Sequence, residues 1–322
     1  MEKKKPALLK KFIASQELSA LVPLIIMILI STIIQPAFLS PANIFDILRT
    51  ASFTFILAVP LTYLMASCQM DLSIGATTAF GGVIAAIASN AGLPLVASLA
   101  LGLLAGSFVG LVNGILVVRC GLPGFISTMG MQYAVNGLIS VITGNNAVLG
   151  LNGAFKAIAQ TRLFGNMSLV VLYALVIGIA GHIVLKKTKY GREVLAVGGN
   201  RDTAYLSGID PDKKHIQLYT AVGFFAALTG ILYASRFSSA QINAGQGTEL
   251  TIMASVIIGG SSMFGGSGTV VGSGLGCILF AMITNALIVM GVSTFWQKVV
   301  FGVILILALF IDRYRRSKSA GG

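Results

Sequence analysis

Apolar run follows apolar run along this chain, and all but one of ten such runs reach or approach the ~18 residues a helix needs to cross ~30 Å of hydrocarbon. A backbone in lipid must satisfy its own N–H and C=O groups, so runs of this length dictate helices. The fold class expected is all-α: a polytopic transmembrane helical bundle of about ten spans. The expected spans are 18–34, 51–67, 73–90, 94–118, 125–143, 167–185, 216–235, 250–260, 269–290 and 295–311. The eighth is too short to cross as a straight helix at ~1.5 Å per residue, and is expected to be broken, tilted or extended by the segment after it. With 56% hydrophobic and 10% charged residues, no stretch is left for a separate soluble domain, and residues 1–322 are read as one transmembrane domain.

Charge placement orients the bundle. The interval 186–214 carries Lys186, Lys187, Lys189, Arg192, Arg201, Lys213 and Lys214, and the positive-inside rule assigns it to the cytoplasm. Ten crossings then return both termini to the cytoplasm, each with its own basic cluster. Of the 22 Lys and Arg, only Arg49, Lys156, Arg162, Arg236 and Lys298 fall in the proposed outer segments. Lys3, Lys4, Lys5, Lys10 and Lys11 precede the first run as in a signal peptide, but no small-residue cleavage pattern follows, and the run is read as a retained span. The net charge of +12 sits at segment ends, which argues for anionic lipid and against nucleic acid.

Within the basic interval a short helix is predicted: Asn200 caps its start, Asp202 sits in its first turn, and Gly208 ends it. Such an element on a cytoplasmic loop is a docking knob. Elsewhere, Gly102, Gly106, Gly110 and Gly114 give the fourth span a smooth face that must be buried against another helix. The eight glycines of 259–276 are read as close helix packing in preference to a hinge.

Polar groups inside a span cost ~2.5–3.5 kcal/mol each when ionisable, so each needs an account. Asp71, in Ser67-Cys68-Gln69-Met70-Asp71-Leu72-Ser73, interrupts a long apolar stretch. It either marks a break at the translocation path, with Ser73 beside it, or closes a tight turn and caps the next helix; both can hold. Asn113, Gln132, Asn136 and Asn285 are amides within predicted helices and serve as interhelical glue or as partners for a polar solute. Together with Phe125 and Trp296 at helix starts they suit a sugar-like solute, whose hydroxyls want amides and whose ring faces want aromatics. Glu249 opens the eighth segment, where a helix N-terminus stabilises a carboxylate, and is read as structural. No nucleophile, base and orienting acid assemble, no HExxH or P-loop occurs, and Cys68, Cys120 and Cys277 form neither a disulfide framework nor a zinc site. A relay of buried carboxylates and histidines, as a proton-driven transporter needs, is also missing.

These residues carry a family resemblance. The chain resembles the permease subunits of ribose-type ATP-binding-cassette sugar importers. The likeness rests on Asp71-Leu72-Ser73-Ile74-Gly75, Gly124-Phe125-Ile126-Ser127-Thr128-Met129-Gly130, Thr188-Lys189-Tyr190-Gly191-Arg192 and Gly198-Gly199-Asn200 running to Ser207-Gly208-Ile209. It continues through Tyr233-Ala234-Ser235-Arg236, Gly247-Thr248-Glu249-Leu250, Val256-Ile257-Ile258-Gly259-Gly260 and Phe295-Trp296-Gln297. The resemblance implies a permease of the bacterial inner membrane that moves a monosaccharide or related solute by alternating access. It further implies a second permease subunit, identical or a sister, an extracytoplasmic solute-binding protein, and a cytoplasmic ATPase dimer that holds ATP and Mg, with no cofactor on this chain. Gly199, Asn200, Ala204, Leu206, Ser207, Gly208 and Ile209 match the family's ATPase-coupling segment. The chain departs from the family at Ser67-Cys68-Gln69-Met70, where glycines are usual. A nucleoside importer of the same architecture, or a proton-coupled transporter, are the alternative readings.

Overall fold

The computed structural model describes residues 18–163 and 167–293 and, beyond them, 296–297, 299–304, 306–307 and 310. The basic segments 3–11 and 312–318, with Phe295 and Lys298, lie outside the described residues. The elements are α1 (Leu18–Ile34), a 3-10 turn (Pro36–Leu39), α2 (Pro41–Ala66), α3 (Ile74–Asn90), α4 (Leu95–Val118), α5 (Gly124–Thr143) and α6 (Gly153–Gln160). After a two-residue antiparallel pair, β1 (Arg162–Leu163) with β2 (Met167–Ser168), come α7 (Leu169–Lys187), α8 (Lys189–Gly199), α9 (Arg201–Leu206), α10 (Pro211–Phe237), α11 (Thr248–Ile258) and α12 (Val270–Val289).

Each of the first nine expected spans holds a helix, and 295–311 falls partly outside the described residues. Helices α2, α4, α5, α7, α10 and α12 are long and apolar enough to cross a membrane, while α3, α11 and the stretch Pro23–Ile33 are shorter apolar helices. The chain is therefore an all-α, multi-pass membrane protein. The expected elements did not include α6, a short amphipathic helix whose Asn152 side chain accepts from the Phe155 N–H, or α8, started by Thr188 accepting from the Gly191 N–H.

The centre of the bundle is α3, α4 and α10, which pack on one another. The reason is written in glycine. Gly106 faces Gly223 and Ala227, Gly110 faces Tyr219 and Gly114 faces Ile216, all on α10, while Gly102 faces Gly81 on α3 and Ile231 on α10. Backbones at this separation leave no room for Cβ atoms, which is how small residues drive helix association in lipid. Gly259 against Gly272 and Gly276 against Ser255 hold α11 to α12 in the same way, so the glycine-rich stretch does pack closely. Around this centre, Leu57, Leu61, Leu64, Leu185, Val194, Tyr219 and Val256 form one apolar core toward the end carrying residues 186–214. Phe80, Val83, Val135, Ile139, Phe155 and Ile231 form another toward the opposite end.

Candidate functional site

Between α2 and α3 the chain leaves helical geometry for seven residues while still inside the bundle. The segment is held from α10: His215 Nε2 pairs with the Ser67 carbonyl at 3.2 Å, and the Tyr219 hydroxyl donates to Gln69 Oε1 (3.1 Å) and to the Met70 carbonyl (3.0 Å). Thr78 then meets Gly230, so residues 69–78 run alongside α10, itself long and apolar enough to cross a membrane, between Tyr219 and Gly230. Non-helical backbone within a membrane survives only when protein or a wet cavity covers it. Cys68 adopts φ +65°, a left-handed conformation that glycine takes freely, which accounts physically for the family's glycines in this stretch.

Asp71 closes the turn and also reaches across it. Its Oδ1 accepts from the Ser73 N–H (2.7 Å) and hydroxyl (2.6 Å), while Asn113 Nδ2 on α4 donates to Ser73 Oγ (2.8 Å) and, at 3.4 Å, to Asp71 Oδ2. The Leu72 N–H donates to Thr128 Oγ1 on α5 (3.0 Å). Asp71, Ser73, Asn113 and Thr128 are all buried.

One turn further along α5, Gln132 Nε2 donates to Glu249 Oε1 at 3.2 Å. Glu249 sits in the first turn of α11 and is 9% exposed. Its other oxygen lies against Gly75 in the first turn of α3, where a Cβ would come within 2.6 Å of it and would also strike the Gly245 carbonyl. Two helices, α3 and the short α11, thus bring their N-termini together, and neither has a side-chain cap. Each N-terminus carries partial positive charge, so a carboxylate is stabilised between them. Glu249 Oε2, Asn113 Oδ1, Thr77 Oγ1 and Ser127 Oγ are buried with no hydrogen-bond partner among the described residues. The loop leading into α11 exposes Gln241, Asn243 and Gln246 beside them.

Of the residues singled out from sequence, Asp71, Ser73, Asn113 and Gln132 belong to this node. Asn285 lies elsewhere: it exchanges two amide hydrogen bonds with Asn43 (3.0 and 2.8 Å), joining α12 to α2. Asn136 is on α5 one turn beyond Gln132, Phe125 is half exposed at the start of α5, and Trp296 is exposed beyond α12. Glu249 was visible as an acid opening a helix too short to cross, but its junction with Gly75 was not, because 174 positions of chain separate them. Thr77 gave no signal, and Ser127 and Thr128 stood only within a family-like motif without a site role.

The short helix expected within 186–214 forms. Asn200 Oδ1 accepts from the Thr203 N–H (2.9 Å), Asp202 stands in the first turn of α9, and Gly208 at φ +81° ends it. Leu206 (85%) and Tyr205 (68%) project outward, Gly199, Ser207 and Gly208 are exposed and Ile209 half so, while Ala204 is buried beneath them. The knob is braced by Arg201 to Asp212 (2.5 Å) and by Lys214 Nζ to Glu193 Oε2 (2.6 Å), with Lys214 also 4.2 Å from the Tyr190 ring centroid. The hydrogen bond from Lys214 holds the Glu193 carboxyl below its ordinary range. That brace is accordingly complete at neutral pH and is lost only as pH falls through the lowered folded-state value.

A bundle of crossing helices and two helix starts meeting at a buried polar node, with a braced knob on its basic end, is built as a membrane permease. The chain belongs to the family described as branched-chain amino acid transport system / permease component, which matches residues 43–309. It is similar to the ribose import permease protein of Bacillus subtilis, 33% identical over 300 residues that cover 92% of this chain and 93% of the relative. It is also similar to the L-arabinose ABC transporter permease protein of Azospirillum brasilense (33% over 290 residues, 88% and 83%). A third relative is the galactose/methyl galactoside import permease protein of Escherichia coli K12 (31% over 316 residues, 91% and 94%). No solved structure matches. The resemblance to ribose-type permeases drawn from the motifs therefore holds, and the chain is a multi-pass transport permease of the bacterial inner membrane.

Proposed function

We propose that this chain is the membrane-spanning permease subunit of an ATP-driven, binding-protein-dependent importer of a monosaccharide or closely related neutral solute. The observation that carries the choice of solute is the node itself. It buries two carboxylates, Asp71 and Glu249, with amides and hydroxyls around them, and no salt bridge among the described residues reaches either acid. A neutral polyhydroxylated solute meets acceptors for its hydroxyls. The names of the ribose, arabinose and galactose relatives support the same class.

In this reading residues 1–322 form one permease domain of ten spans with both termini cytoplasmic, and 186–214 is its coupling loop. A pair of such permeases, identical or sisters, rests on two ATPase subunits that bind ATP and Mg, and an external binding protein delivers the solute. The translocation path runs past Asp71, Ser73, Asn113 and Gln132, with Phe125, Asn136, Asn285 and Trp296 as outlying members of the set. Gly199, Asn200, Ala204, Leu206, Ser207, Gly208 and Ile209 form the coupling element, Ala204 as its buried support. Closure of the ATPase dimer moves α9 and, through the braces to α8 and α10, the bundle; access to the path alternates.

The docking part is tested with Leu206→Glu. A charge on the most exposed apolar tip is expected to weaken retention of the cognate ATPase by about tenfold or more in co-purification and to lower uptake in parallel, with the permease still in the membrane. Normal retention and normal uptake would show that α9 is not the contact.

A further inference from the structure

We propose that Glu249 is a solute-contacting residue, its Oε2 accepting a hydrogen bond from one hydroxyl of the transported solute. The inference rests on the importer reading above and names the group within it that recognises a hydroxyl.

Three observations converge on this oxygen. Glu249 is nine-tenths buried, yet only Oε1 has a partner, Gln132 Nε2 at 3.2 Å, and Oε2 has none among the described residues. A buried carboxylate oxygen without a donor is costly, and such groups persist where something other than the resting fold completes them. Secondly, the oxygen lies where α3 and α11 begin, against Gly75, and both helix starts lack side-chain caps. Two positive helix ends oppose a metal cation at this point and leave a neutral donor as the fitting partner. Thirdly, the unpartnered atoms nearby, Asn113 Oδ1, Thr77 Oγ1 and Ser127 Oγ, are all able to accept. With Glu249 Oε2 and Asn113 Oδ1 as acceptors and two hydroxyls that can accept or donate, the node matches a neutral solute rich in hydroxyls.

The junction also provides the means of exposure. Gly245 and Gly247 sit at φ +89° and +81° immediately before α11, and the exposed amides Gln241, Asn243 and Gln246 precede or flank them. In the described state Gly75 seals Oε2. Parting of the two helix starts, hinged on these glycines, turns the oxygen toward the loop amides and the passing solute.

The test uses the full transporter, this permease with its cognate ATPase and binding protein in proteoliposomes. D-ribose, L-arabinose and D-galactose are supplied with their single-deoxy analogues, each on saturated binding protein. Wild type is expected to favour at least one parent sugar over one of its deoxy analogues by about tenfold, the value of a charge-assisted hydrogen bond. That preference is expected to collapse toward one in Glu249→Ala and to fall part of the way in Glu249→Gln, which keeps the side chain's shape if the alanine variant fails to fold. A merely structural glutamate would lower all solutes by one common factor and leave the preference intact, and that result overturns the subsite while the importer stands. If wild type imports none of the three sugars, the importer reading fails and the subsite with it.

Discussion

At the scale of single residues, the most informative position is one that looks like an irregularity. Cys68 holds a left-handed backbone at φ +65° in the break between α2 and α3, and its neighbour Gln69 takes a hydrogen bond from Tyr219. A non-glycine residue there carries a penalty of ~1–2 kcal/mol. Cys68→Gly is therefore expected to raise stability by about 1 kcal/mol, part of the gain being returned through the freer unfolded chain. Thermal unfolding in detergent reads this as a higher midpoint; a lower midpoint would mean that the thiol makes packing contacts worth more than the strain. Asp71 shows how far a sequence can be read at this scale. Its turn reading, available from Asp71-Leu72-Ser73, is present in the hydrogen bonds to Ser73, although α3 starts without the side-chain cap expected of it; its place on a translocation path remains our proposal. Asn285 shows the limit: an amide inside a helix declares that it needs a partner, but only the packing of α2 on α12 identifies that partner as Asn43.

Among the elements, helices are legible because lipid permits little else, and their positions follow from the apolar runs. The glycine stripe of α4 likewise announced a buried face, though not that α10 and α3 together cover it. What periodicity cannot express is the meeting of α3 and α11. The shortness of α11 was visible; that it begins against α3 depends on Gly75 and Gly245, where missing side chains let two backbones touch. The stripe makes a direct prediction. A Cβ at Gly110 would collide with the Tyr219 carbonyl, whereas Leu104, 65% exposed on another side of α4, faces away from α10. Gly110→Ala is expected to cost about 1–3 kcal/mol through overpacking, despite alanine's better helix propensity, and Leu104→Ala markedly less. Comparable losses for both, in the same unfolding assay, would mean that α4 and α10 do not pack on this face.

For the whole molecule, three levels agree. Apolar runs give a multi-pass bundle, charge asymmetry assigns the 186–214 loop to the cytoplasm by the positive-inside rule, and the fold forms a capped, braced knob on that loop while burying a polar node inside the bundle. The family description names amino acid transport and the relatives name sugars. The sugar-named relatives, together with a node that offers acceptors to hydroxyls, are the ground on which we propose the sugar class. The most direct test is ATP-dependent uptake by the permease assembled with its cognate ATPase and binding protein in proteoliposomes, comparing D-ribose, L-arabinose and D-galactose with L-leucine. Import of at least one sugar and exclusion of leucine is the result the proposed sugar importer predicts; import of leucine without any sugar would contradict it.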